Sequence, residues 1–231
     1  VFCEKDKKCR AVLERTWPGI PIVPDIREFD GTRWRGRFLL TGGDPCPIRS
    51  KARSIWGTKH PDLSGYFLAV VGASRPEWVV RENVPAPDDV DFVAGLGTLG
   101  YGSIIVRANA DTHTGQCRQR DIIVGCYKTR GRDIRKCFPN FQDGAGTYTT
   151  RLGTREIIPA LTTHRTRYDS RDCYIFDNSR LRILDSEERE RFAGFPSGWT
   201  AGFSPATRAR MLGNSIVPQV AYEIIKAIME A

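Results

Sequence analysis

Short apolar runs alternate with amphipathic ones through the first two-thirds of the chain. VFCE at the start, RFLLTGG (37–43), EWVVREN (77–83), GSIIVRA (102–108) and DIIVGC (121–126) are brief and each centres on an apolar run, so each reads as a strand. Residues 6–16 read as a helix closed by Trp17-Pro18-Gly19. In HPDLSGYFLAVVGASRP, residues Leu63, Tyr66, Phe67, Val70 and Val71 recur at helical spacing, predicting an amphipathic helix entered through Pro61. Residues 88–99 predict another, with Val90, Val93, Leu96 and Leu99 on one side and Gly95 and Gly97 lowering its propensity.

Alternating β and α segments imply an α/β sheet with helices on both faces, in which ligands sit at the carboxyl ends of strands. Glu4, Cys46 and Glu82 all fall at or just after such ends. After Cys126 sustained periodicity stops, and residues 127 to about 181 read as loops and short strands inserted for recognition. Order returns at LDSEERERFAG, where Asp185 and Glu188 have the spacing of a capping box. The last segment, IVPQVAYEIIKAIMEA, carries an apolar face of Val217, Val220, Ala221, Ile224, Ile225 and Ile228 that is expected to pack back on the sheet.

A length of 231 residues suits one main domain with a smaller lobe. No stretch approaches the ~20 apolar residues of a membrane span, and VFCEKDKKCR is too charged for a secretory signal, so a reducing compartment is expected. Seven cysteines without a CxxC pair and three scattered histidines predict neither a disulfide framework nor a metal site. A net charge of +8 favours a polyanionic partner. Lys128, Arg130, Arg132, Arg135, Lys136, Arg151, Arg155, Arg165, Arg167, Arg171, Arg180 and Arg182 recur among few acids, a distribution that points to phosphate contact.

Three polar clusters border the apolar strands. In LLTGGDPCPIRS two glycines allow a sharp turn and flanking prolines stiffen the backbone, so Cys46 is presented rather than packed. VVRENVPA delivers Glu82 and Asn83 before a proline-containing turn. TGQCRQRDIIVG sets Gln116, Arg118 and Arg120 at alternate positions, which point to one side if the segment is extended.

Pro-Cys after one strand, Glu-Asn-Val after another, Gln-x-Arg-x-Arg before a third, then RFAGFP and RMLGNSIVP, resemble in content and order the DNA (cytosine-5)-methyltransferase family. The resemblance covers nearly the whole chain. The length of the segment after Cys126 and the stretch TTHRTRYDSRDCYIF look most like the de novo mammalian type and its phage and bacterial relatives.

That resemblance implies an α/β, Rossmann-like S-adenosylmethionine-dependent methyltransferase sheet with a small irregular recognition region. Residues 1–126, completed by 206–231, would be the catalytic core, and 127–205 the target-recognition region. Cys46 would add to carbon 6 of a flipped cytosine, Glu82 would hold the base's amino edge and N3, Arg120 its O2, and Arg118 the loop or its phosphates. Asn83 would brace the turn. The methyl donor would be S-adenosylmethionine, its ribose hydroxyls on Glu4 and its adenine on Asp25 and Ile26, with Asp44, Asn214 and Ser215 beside it and no metal. Arg49, Ser50, Lys51, Arg53, Gln116, Arg165 and Arg167 would contact double-stranded DNA.

Two departures accompany the likeness. The family's opening strand and glycine-rich turn should precede VFCE and do not, so a first βα unit is expected to be missing, and Pro47 stands where glutamine is common. Loss of that turn keeps open a non-catalytic, DNA-binding regulatory relative, and the shared chemistry keeps open an RNA cytosine methyltransferase. A homo-oligomer or a partner methyltransferase subunit also stays open. The expected location is cytoplasmic for a bacterial or phage protein and nuclear for a eukaryotic one.

Overall fold

The computed structural model describes residues 1–45, 62–87, 89–127, 133–138, 142–143, 158–159, 161, 174–177 and 180–231. Cys46, Arg49, Ser50, Lys51, Arg53, Arg165 and Arg167 lie outside the described residues, as does most of the basic segment. The chain divides into two compact units. One contains residues 1–108, 119–146 and 227–231, and the other residues 109–118 and 147–226.

In the first unit, β1 (Phe2–Cys3) leads into α1 (Lys7–Thr16), whose first turn is capped by the Asp6 carboxylate accepting from the Lys8 amide at 2.8 Å. β2 (Ile22–Val23) returns parallel to β1. β3 (Leu39–Gly42), α2 (Ser64–Ser74), β4 (Trp78–Asn83) and α3 (Asp89–Thr98) follow. β5 (Tyr101–Asn109) and β7 (Gln119–Tyr127) are the two long strands, and the stretch connecting them in sequence, with a short helix, α4 (Asp111–Thr114), and β6 (Gln116–Cys117), belongs to the second unit. With β8 (Gln142–Asp143) the main sheet has the order β3-β4-β7-β5-β8. It is mixed: β3 runs parallel to β4, and β4 antiparallel to β7.

The predicted periodicities put one side of α2 and α3 on one sheet face. Phe67, Val71, Val79, Phe92, Leu96, Tyr101 and Ile123 form that core. Two residues assigned to the apolar faces stay outside it: Tyr66 is 46% exposed and Val90 61% exposed. On α3 it is Phe92, in place of Val90, that shares the buried side with Leu96 and packs against Phe67 at 5.6 Å between ring centroids.

β1 and β2 form a pair of their own, not hydrogen-bonded into the five-stranded sheet. The Phe2 and Glu4 amides donate to β2 and its flank, and the Trp78 amide donates to the Phe38 carbonyl. By alternation, the peptide groups of Cys3, Leu39 and Thr41 turn the other way, and all three residues line a cleft between the two strand groups.

In the second unit, α5 (Ser186–Phe192) has the predicted capping box: the Glu188 amide donates to Asp185 at 2.8 Å, and the Asp185 amide to Glu188 at 2.8 Å. Next to it, Glu190 is fully buried and accepts from the Gly198 and Thr200 amides at 2.7 Å each, from the Thr200 hydroxyl, and from Arg208 Nη2 at 2.9 Å. Arg208 belongs to α6 (Pro205–Asn214), which starts on a Ser204 cap followed by proline. α7 (Pro218–Met229) buries Val220, Ile224 and Ile228 of its predicted apolar face.

Candidate active site

The parallel pairing of β3 with β4 brings the carboxyl ends of these two strands together. Gly43 follows β3 so closely on Glu82 that a β-carbon there would stand 3.1 Å from the Glu82 carbonyl oxygen and 3.4 Å from its Oε2. Glu82 therefore lies against the stretch Gly43-Asp44-Pro45, which leads directly to Cys46 in the sequence.

Antiparallel pairing sets Glu82 opposite Ile122, so Arg120 is its diagonal neighbour on the same sheet face. Arg120 Nε stands 2.9 Å from Glu82 Oε1, with both side chains mostly buried. Distance and direction disagree here: the separation is that of an ion pair, yet Oε1 is buried and accepts no hydrogen bond among the described residues. The N–H is not aimed at the oxygen, so attraction holds the pair while the acceptor stays available to another donor. Arg120 Nη1 is committed to the Gln119 carbonyl at 2.7 Å.

The next residue, Asn83, faces the opposite way, is buried, and donates from Nδ2 to the Asp44 carbonyl at 3.3 Å while its Oδ1 accepts from the Val84 amide at 2.8 Å. It braces the turn as its position suggested. Asp44 spends both carboxylate oxygens on Arg81, at 2.5 Å from Nε and 2.9 Å from Nη2, which binds it to the strand although it also borders the cleft. Sequence reasoning missed Arg81. An arginine inside an apolar strand is the one signal that marks it.

The cleft has a volume of about 850 Å³, within the range of small-molecule sites, and Glu4, Asp25, Ile26 and Asp44 all line it. Glu4 accepts the Asp6 amide on Oε1 at 2.7 Å. Asp25 caps a short 3-10 turn, Ile26–Glu28, by accepting the Arg27 amide at 3.0 Å. Its carboxylate is further clasped by the Arg27 guanidinium and lies 3.3 Å from Lys5 Nζ. Hydrogen bonds from Arg27 hold this carboxyl far below its ordinary range. The Cys3 residue on the same wall is exposed, but local desolvation of its thiol and the nearby Asp25 and Glu4 charges push it up to about 11, so it is no thiolate at neutral pH.

The Gln-x-Arg-x-Arg segment does not run as one extended strand. It breaks at Arg118, whose amide donates to Asn109 Oδ1 at 2.8 Å and whose carbonyl accepts from the Ala110 amide at 3.1 Å. Gln116 and Arg118 therefore belong to the second unit and Arg120 to the first. Gln116 is 1% exposed, donates to the Phe192 carbonyl and accepts from the Leu161 amide. That burial corrects its expected place at a DNA surface. Arg118, also buried, donates from Nη2 to the Gly213 and Ser215 carbonyls at 3.0 and 2.7 Å, which makes it a tie to the end of α6. Asn214 is the exposed last residue of that helix and Ser215 its cap, both in the second unit.

Among the described residues no group of histidine, cysteine and carboxylate side chains has the arrangement to hold a metal ion. No helix among them is long and apolar enough to cross a membrane.

The fold defined by these elements is that of solved methyltransferases, which share its α/β architecture. A methyltransferase from Entamoeba histolytica superposes with a TM-score of 0.72 at 11% identity, covering 100% of this chain and 89% of the other. The Dnmt2 methyltransferase of S. pombe gives 0.69 at 16% identity, covering 99% and 89%. The chain matches the C-5 cytosine-specific DNA methylase family over residues 1–175 and 134–230, and it belongs to that family. Among curated relatives, the type II methyltransferase M.NgoMIV of Neisseria gonorrhoeae is 24% identical over 91% of this chain and 83% of its own length. Type II methyltransferase M2.BsuMI of Bacillus subtilis is 33% identical over 37% of this chain, an alignment spanning only 23% of that protein.

Proposed function

We propose that the protein methylates carbon 5 of cytosine in double-stranded DNA through a transient Cys46 adduct. The observation that carries this reading is the buried Glu82 Oε1, ion-paired with Arg120 yet accepting no hydrogen bond among the described residues, at the root of the segment leading to Cys46. An acceptor oxygen desolvated without a donor is costly to leave unmade, and it suits the exocyclic amino group of a cytosine edge.

In this reading the Cys46 thiolate adds to carbon 6 as N3 takes up a proton, and Glu82 accepts from both the amino group and the protonated N3. The ring becomes an enamine, and carbon 5 attacks an electrophilic methyl group, whose bond to a sulfonium sulfur breaks as a neutral thioether leaves. Loss of the carbon 5 proton to solvent then expels the thiolate and N3 returns its proton, so the sulfur of Cys46 ends as it began and the ring differs only by a methyl group in place of the hydrogen on carbon 5. Arg120 donates to O2 of the same base. When bound, S-adenosylmethionine supplies the methyl group. Glu4 and Ile26 fit it, as a ribose-diol acceptor and an apolar face for adenine, whereas Asp25 meets an adenine amino group only in competition with Arg27 and Lys5. A target base must leave the duplex to reach such a site, and the basic stretch within 127–205 is the part assigned to target recognition. The type II relatives and the family's DNA-directed members favour DNA over RNA.

Transfer of a labelled methyl group from S-adenosylmethionine to duplex DNA, duplex RNA and transfer RNA, with Cys46→Ser alongside, tests the proposal. Label on DNA that vanishes in the variant is expected. Label on RNA alone, label that survives Cys46→Ser, or DNA binding without any transfer would overturn it.

A further inference from the structure

Arg81 is the one arginine inside the apolar run of β4, and its side chain is 0% exposed. Each of its three guanidinium nitrogens is engaged: a fork of Nε and Nη2 grips both oxygens of Asp44, and Nη1 donates to Asp89 Oδ1 at 3.0 Å. The cation also lies 4.4 Å above the Phe92 ring. Asp44 and Asp89 are 4% and 3% exposed, and Asp89 Oδ2 in turn accepts the Ala86 amide at 3.2 Å from the turn after β4. One buried cation thus joins the end of β3, the interior of β4 and the start of α3.

Simple stability explains this arrangement poorly, because burying ions is expensive and an apolar cluster of similar volume would serve as well or better. Geometry explains it better. A bidentate arginine–carboxylate fork fixes orientation as well as distance, which apolar packing does not. Arg81 and Glu82 are neighbours on one strand and point to opposite sheet faces. Asp44 follows Gly43, the residue pressed against Glu82, and precedes Cys46 by two. The backbone of Asp44 is held as well, through Asn83.

We infer that Arg81 is a positioning residue: through Asp44 it sets the root of the Cys46 segment in register with Glu82. This rests on the proposed role of those two residues. Arg81 touches neither base nor donor, so its loss should impair the chemical step and spare ground-state binding. Lysine keeps the charge but cannot form the fork, and methionine removes both.

The test compares Arg81→Lys and Arg81→Met with wild type and with Leu96→Ala, a core variant that lowers stability without touching the charge cluster. Three quantities are read, all well below every unfolding midpoint: the KM for duplex DNA and two rates. One is the single-turnover rate of adduct formation with a duplex containing 5-fluorocytosine. The other is the rate of iodoacetamide alkylation at Cys46, followed by peptide mass spectrometry. Adduct formation is expected to fall about 30-fold or more in both Arg81 variants while KM for DNA stays within about threefold, and alkylation is expected to change in both but not in Leu96→Ala. Wild-type rates in folded Arg81→Met, or losses no larger than those of Leu96→Ala, would overturn the inference. Should Arg81→Met fail to fold, Arg81→Lys is read by the same two rates, and wild-type values in it overturn the inference equally. If wild type forms no adduct, the proposed function fails, and the alkylation rates still decide the role of Arg81.

Discussion

Arg120 stands 2.9 Å from the carboxylate of Glu82 without directing a hydrogen bond to it, so the pair is held electrostatically, and the buried Oε1 of Glu82 accepts no hydrogen bond among the described residues. Glu82→Gln replaces one of its two acceptor oxygens with an amide donor of the same shape. Turnover is expected to fall about 10²- to 10⁴-fold, with the far-ultraviolet circular dichroism and unfolding midpoint retained. Single-turnover methyl transfer measures the first and thermal unfolding the second. A loss confined to KM would show that Glu82 only binds.

Leu96 is completely buried between α3 and the sheet, in contact with the cluster around Val79 and Ile123. Leu96→Ala should destabilise the protein by about 2–5 kcal/mol through lost burial and a residual cavity. Urea unfolding gives the difference directly, and a change below about 1 kcal/mol would mean that the site collapses around the smaller side chain.

Glu188 offers a test in acid. Hydrogen bonds from Arg182, at 2.7 and 2.8 Å, together with the Asp185 amide, hold its carboxyl at about 2 against an ordinary 4.5. The fold binds the ionised form more tightly than the unfolded chain does. The stabilisation is therefore complete above the ordinary value and is lost as pH falls through about 2. Wild type should exceed Glu188→Gln in stability near neutrality, and the gap should close on acidification. Denaturant titrations at a series of pH values follow it. A gap independent of pH would assign the effect to shape instead of charge.

In the second unit, Arg208→Met leaves the Glu190 carboxylate buried without its cation, although the Gly198 and Thr200 amides still bond it. A cost of about 3 kcal/mol is expected, at the low end for breaking a buried pair. Arg208→Met combined with Glu190→Gln should recover part of that loss, measured as a double-mutant cycle.

What the sequence made legible was local. The Asp185–Glu188 box, the WVVREN strand and the GYFLAVV helix depend on residues within four positions of each other, and a single periodicity or cap specifies each. The order of five short motifs, Pro-Cys, Glu-Asn-Val, Gln-x-Arg-x-Arg, RFAGFP and RMLGNSIVP, was enough to point to the family, because each is contiguous in sequence. Features set by tertiary partners were not legible. Arg81 finds Asp44 across 37 positions, and nothing near either residue announces the pairing. The strand expected through Gln116, Arg118 and Arg120 is interrupted because the side chain of Asn109, nine positions earlier, takes the Arg118 amide. Tyr66 and Val90 fit the helical spacing yet stay at the surface, since periodicity gives the direction of a face and not the extent of what covers it. Asp25 has the right residue type for an adenine amino group, but Arg27 and Lys5 reach it first.

Gly43 works through an atom it does not have. With a hydrogen in place of a methyl group, two strand termini close to van der Waals contact, and the β-carbon of an alanine at this position would press on the Glu82 carbonyl oxygen at 3.1 Å. The close approach of these two strand ends thus depends on the smallest side chain in the alphabet, and because the first obstacle is main chain, the backbone itself would have to give by a few tenths of an ångström to admit a larger one.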